Sequence, residues 1–161
     1  MELELDGRRL ARALEDHLAR WRERTGIAVE VWALPAGDVP RAVAETVLLT
    51  VREALANVER HSGAATVAVA LTAGRRGLRL TISDDGFGFE HRTAGRGLRV
   101  MRAGFAGIGG RLTVNGVPGG GTTVRGEVPR AALDRAALDG ATAREERPLS
   151  GPGEDVLPPA G

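Results

Sequence analysis

The chain has 161 residues, a formal net charge of +1 and a mean hydropathy of −0.13, enough for one domain with a real hydrophobic core. That near-balance gives no overall field directed at nucleic acid or acidic lipid, and with 3% aromatics and no tyrosine a base-stacking platform is not expected. None of the 22 basic residues is lysine and there is no cysteine, which excludes a phosphate-loop lysine, a Schiff base, a thiol nucleophile and a thiolate metal site.

Glu2 to Leu5 suits a short strand, and from Arg8 to Arg24 the residues Leu10, Leu14, Leu18 and Trp21 recur at helical spacing. Gly26 ends that helix, and Ile27 to Val31 reads as a strand. A turn over Pro35 to Pro40, with Asp38 as cap, leads into a long helix running to about His61 and stopped by Gly63. Thr66 to Leu71 and Leu78 to Ile82 alternate as a hairpin across Gly74 to Gly77. Gly86 to Gly97 is a glycine-punctuated loop, and a helix resumes from Leu98 to about Phe105. Two further strands fall near Leu112 to Val114 and Thr123 to Val128, separated by a glycine-rich turn.

Ala131 to Leu138 reads as a short helix. Residues beyond Gly140, mostly Pro, Gly and charge, read as a disordered tail. No apolar run approaches the ~20 residues of a membrane span, and no signal-peptide pattern opens the chain. A soluble, cytoplasmic domain is expected. Helices with an antiparallel-rich sheet predict an α/β (α+β) two-layer sandwich, its mixed sheet covered on one face by helices.

Three places carry chemistry. On an α-helix Glu53, Asn57, Arg60 and His61 share one face, while Val47, Val51, Leu55 and Val58 share another about 130° away. An acid, an amide, a guanidinium and an imidazole on the face not needed for the core suit a phosphate and its metal ion. His61 alone is more often a partner for the helix C-terminus than a ligand. Ser83-Asp84-Asp85-Gly86-Phe87-Gly88-Phe89 follows a strand, so a carboxylate there can accept from an exocyclic amine beside glycines that let backbone approach a flat ring. An ordinary Asp-Gly turn has the same residues. Gly95-Arg96-Gly97-Leu98 opens a helix whose first amides suit phosphate oxygens, or simply a cap. Thr122, entering the last strand after Gly119-Gly120-Gly121, has a hydroxyl placed for a phosphate or merely for a hairpin.

The order of these segments carries a resemblance. REALANVERHSGA (Arg52 to Ala64) resembles the N box of kinases that pair with NarL-type response regulators. DDGFGF resembles the G1 box, GRGL the G2 region, and GGGTTVRGEVP the closing strand with its terminal proline. Over about Leu10 to Arg130 the sequence is similar to the catalytic ATP-binding domain of sensor histidine kinases, in the superfamily that also holds gyrase B and MutL.

The resemblance implies a Bergerat-type ATP-binding domain over residues 1–130, followed by a short helix at 131–139 and a tail at 140–161. It implies that Asn57 holds Mg2+ bridging the triphosphate of ATP, and that Glu53 orients a water on the metal or the attacking group as the catalytic residue. Arg60 would meet phosphate and His61 would lie near the nucleotide. Asp84 would accept the adenine amine, with Asp85 a variable neighbour. Gly86 and Gly88 would shape the adenine pocket, while Gly95, Gly97 and Leu98 would border the phosphates under a short lid.

The implied partners are a histidine-containing dimerisation domain and a response regulator, with no nucleic acid and no membrane segment. Arg8 to Asp16 faintly resembles an acceptor motif, but Glu15 stands in the histidine's place and the N box is too near for a preceding two-helix hairpin. That stretch therefore reads as the first helix of the ATP domain, with His17 on its surface. Phosphoryl transfer to a histidine outside this chain is the expected activity. A serine kinase acting on an anti-sigma antagonist, and a non-catalytic ATP-binding module, are the alternatives.

Overall fold

The computed structural model describes residues 7–35, 37, 39–87 and 95–145. Along the chain come α1 (Gly7–Thr25), β1 (Ala28–Ala33), α2 (Arg41–Asn57) and a π-helical turn (Val58–Ser62). Then follow β2 (Thr66–Gly74), β3 (Gly77–Asp84), α3 (Arg96–Gly107), β4 (Arg111–Val117), β5 (Gly121–Pro129) and α4 (Arg130–Glu145). The strand expected at Glu2 to Leu5 lies outside the described residues.

The strands form one sheet in the order β1-β2-β3-β5-β4. β1 runs parallel to β2 and the other neighbours are antiparallel, the mixed sheet that the pattern predicts. Its pleat sorts the residues. Val67, Val69 and Leu71, Leu78, Leu80 and Ile82, and Val124 and Val128 are buried on one face, matched by register across β2, β3 and β5. The opposite face carries Arg79, Thr81, Arg125 and Glu127. There Arg79 and Arg111 converge on Glu127 at 3.2 and 3.0 Å, holding its carboxyl below the usual range, chiefly through the Arg111 hydrogen bond. At the edge, Trp32 of β1 stands 71% exposed and donates its indole N–H to Glu30 at 3.1 Å.

Among the described residues four helices cover the apolar face. Leu10, Leu14, Leu18 and Trp21 come from α1, Val43, Val47, Val51 and Leu55 from α2, Leu98, Met101 and Phe105 from α3, and Ala132 and Leu133 from α4. The Phe105 ring occupies the space that a side chain at Gly126 would need. Helices α2 and α3 cross antiparallel. Gly104 lies against the Thr46 methyl, and seven residues back along α3 Gly97 lies against Glu53, seven residues on along α2.

Four details differ from the expectation. The N-cap of α2 is Pro40, whose φ of −55° suits a helix entry, and it uses no side-chain cap; Asp38 lies outside the described residues. α-Helical winding ends at Asn57 and the last turn widens. Helix α4 runs through Gly140 to Glu145, into the segment expected to be disordered, because Ala132, Leu133 and Ala136 anchor it and the Ala, Arg and Glu that follow are good helix formers; residues 146–161 lie outside the described residues. His17, expected at the surface, is half-buried beside Arg52, Arg20 and Arg24, and burial above all pushes its pKa down. Among the described residues no helix is long and apolar enough to cross a membrane.

Candidate functional site

Glu53 and Asn57 sit one turn apart on α2, both half-buried. A Cβ on Gly97 would lie 2.7 Å from Glu53 Oε2 and 3.9 Å from Asn57 Nδ2, so the missing side chain leaves a space that both polar groups face. Neither Glu53 nor Asn57 has a hydrogen-bond or ion-pair partner among the described residues, which leaves a carboxylate and an amide oxygen unspent. The other wall is the first turn of α3. Its extended N-cap, Gly95, offers no side-chain cap, so backbone amides there remain available. Leu98, in that same turn, is buried in the core, so its contribution is the backbone.

Arg60 and His61 belong to the π-helical turn. Their common face with Glu53 and Asn57 assumes α-helical winding, and i→i+5 bonding changes their direction. Arg60 is exposed; the His61 side chain lies outside the described residues. The neighbouring Glu59 bonds Arg24 at 2.6 Å, and that hydrogen bond holds its carboxyl below the usual range. Gly63, with φ of +61°, ends the turn in the left-handed region that favours glycine.

The second half of the site lies at the end of β3. Asp84 continues the row Leu78, Leu80, Ile82 and so faces the helix layer, half-buried, opposite Thr122 of β5. Its carboxylate accepts the Gly86 N–H at 2.9 Å, and the Thr122 backbone amide also favours its ionised form. Burial nonetheless pushes the Asp84 carboxyl above its ordinary value, the amide bonds opposing it and the Asp85 charge adding to it. Gly121 has no room for a side chain because the Asp84 carbonyl occupies the space. Gly86 is buried, and Gly88 lies outside the described residues.

Phe87 and Asp85 tie the end of β3 to its surroundings. The Phe87 ring lies over Gly63 where any Cβ would collide, and the Phe87 carbonyl accepts the Gly119 N–H at 2.8 Å. Asp85 Oδ1 accepts the N–H groups of Ala65 and Thr66, at 2.9 and 3.0 Å. These bonds, the one from Thr66 foremost, hold the Asp85 carboxyl below the usual range. The sequence alone marks Asp85 only as a variable neighbour of Asp84. The available signal was the adjacency itself, since consecutive residues at a strand end point apart and only one aspartate can face the cleft.

The donor set suits a particular class of ion. Among the described residues no group of three His, Cys, Asp or Glu gathers to form an all-protein metal site. Asn57 and Glu53 offer hard oxygen ligands, and Mg2+ accepts one or two of these with phosphate oxygens and water completing its shell.

A profile described as "Histidine kinase-, DNA gyrase B-, and HSP90-like ATPase" matches residues 42–132, from the start of α2 into α4. The chain belongs to this ATPase family. The ATPase domain is 38% identical over 135 residues to the sensor histidine kinase MctS of Rhizobium johnstonii, covering 80% of this chain and 29% of that protein. It is 34% identical over 128 residues to the sensor histidine kinase LiaS of Bacillus subtilis, covering 78% and 35%. The chain thus spans about a third of the length of these curated relatives. A histidine kinase domain from the blue-light activated histidine kinase of Erythrobacter litoralis EL346 superposes with a TM-score of 0.69 at 26% identity, over 81% of this chain and 65% of that one. The fold and the relatives together make this a histidine-kinase-type ATPase domain.

Proposed function

We propose that this domain, over residues 1–130, binds Mg2+-ATP in the cleft between α2, α3 and the end of β3. There it catalyses phosphoryl transfer to a histidine of a dimerisation domain, in the same protein or another chain. The observation that carries the reading is Asp84, a half-buried carboxylate at the end of β3 on the helix side of the sheet, with acceptor capacity beyond its bond from Gly86. Adenine offers an exocyclic amine to such a group, whereas guanine offers a carbonyl at that place, which a carboxylate repels.

Asn57 would hold Mg2+ through its amide oxygen, and Glu53 would stand one turn away to orient the proton of a water or the attacking group. When bound, the ion supplies charge neutralisation across the triphosphate. The backbone of Gly95, Gly97 and Leu98 suits phosphate oxygens at a helix start, with the Thr122 hydroxyl, Arg60 and His61 as further contacts and Gly86 and Gly88 lining the base. The rate gain then comes mainly from positioning. The wording of the segment from Arg52 to Ala64 favours a kinase working with a NarL-type response regulator.

Two measurements test the proposal. Calorimetry should find Mg2+-dependent ATP binding that Asn57→Ala abolishes; unchanged affinity in that variant contradicts the metal assignment. With labelled ATP and a separately supplied dimerisation domain, the product should be acid-labile phosphohistidine. An acid-stable phosphoserine, or no transfer, rules out the proposed acceptor.

A further inference from the structure

We infer that Asp85 is a positioning residue for base recognition, a role that rests on the reading of Asp84 as the adenine acceptor. The two aspartates are consecutive but differently placed. Asp84 is the last residue of β3 and faces the helix layer, whereas Asp85 lies just beyond the strand. Asp85 is nevertheless fixed at three points to one two-residue stretch. A single oxygen, Oδ1, takes the N–H groups of Ala65 and Thr66 at 2.9 and 3.0 Å, and the Asp85 N–H donates to the Thr66 carbonyl at 3.3 Å.

That stretch matters because of what lies on either side. Upstream, Gly63 ends the helical run that carries Glu53 and Asn57; downstream, Thr66 opens β2. On the other side of Asp85, the Gly86 N–H holds the Asp84 carboxylate at 2.9 Å. The direction of that N–H is set by the peptide plane joining Asp85 to Gly86, so pinning Asp85 pins the donor that orients Asp84. Released, the Asp84–Gly86 turn gains rotational freedom, and a carboxylate must be ordered again whenever it meets a base. Asp85 thereby ties the base-reading strand end to the chain leaving the triphosphate helix without touching ligand.

Because both amides converge on one oxygen, an amide side chain can take the same two bonds. Asp85→Asn should therefore keep the wild-type preference for ATP over GTP, while Asp85→Ala should narrow it about tenfold. Mg2+ dependence should survive in both, since Asn57 is untouched. Calorimetry on the full chain with Mg2+-ATP and Mg2+-GTP reads both quantities, and circular dichroism reports folding. Should Asp85→Ala not fold, Asp85→Ser, whose hydroxyl can take one of the two amides, should give an intermediate preference. A folded Asp85→Ala or Asp85→Ser with undiminished preference, or a folded Asp85→Asn that loses it, overturns the positioning role alone. A wild-type chain that binds no ATP, or an Asp84→Asn variant with unaltered preference, overturns the base-site reading and this inference with it.

Discussion

Asp84 combines two demands that pull its chemistry in opposite directions. Facing the helix layer desolvates it and raises its pKa, yet only its ionised form is a pure acceptor for an amine. ATP affinity should therefore weaken as pH falls through a value above the ordinary carboxylate one, and Asp84→Asn should remove that pH dependence. A pH-independent wild-type affinity between about pH 4 and 7 would contradict the role. The same raised pKa has a stability side: its favourable contribution is fully present below the ordinary carboxylate value and is lost as pH rises through the raised one. At this scale the sequence was partly legible. A carboxylate ending an alternating strand, just before glycines, singled out Asp84. The role of Asp85 was not legible, because its amide partners are 19 and 20 residues earlier and reach it only once β2 pairs with β3.

The crossing of α2 and α3 assembles the triphosphate end of the cleft. Gly97 and Gly104, two turns apart, let α3 lie against Glu53 and Thr46. A methyl at position 97 meets the flexible end of Glu53 rather than backbone, so Gly97→Ala should cost little in packing. It should raise stability by up to about 1 kcal/mol through helix propensity. The same methyl displaces the Glu53 carboxylate, so ATP affinity should fall. Thermal melting with calorimetry tests the pairing, and a variant that is stabilised with unchanged affinity would remove Glu53 from the cleft. The helices themselves were readable from the spacing of Val47, Val51 and Leu55 and from Gly63 as a stop. The widened turn at Val58–Ser62 was not, because five residues hold too little periodicity to separate 3.6 residues per turn from a wider helix. The continuation of α4 past Gly140 was hidden for another reason: residues 137–141 are all exposed, so no apolar pattern leads the helix onward.

The whole molecule depends on carboxylates whose pKa values lie on both sides of the ordinary one. Glu59 with Arg24, Asp85 with its backbone amides, and Glu127 with Arg111 and Arg79 are all depressed. Each stabilises the fold above its unfolded pKa and loses that contribution as pH falls through its folded value. The melting temperature should therefore drop on acidification below about pH 4, with a smaller drop in Glu127→Gln; a flat profile would show these pairs to be energetically idle. The two-layer architecture was legible because alternation in β2 and β3 and the leucine spacing of α1 each describe one buried face. The strand order was not, since neither signal says which strands are neighbours. The placement of the two tryptophans has an optical consequence. With no tyrosine in the chain, its ultraviolet emission comes from one indole that is 3% exposed, Trp21, and one that is 71% exposed, Trp32. A quencher dissolved in the buffer would silence Trp32 and leave the light of Trp21, so the packing of α1 against the core is visible without any attached dye.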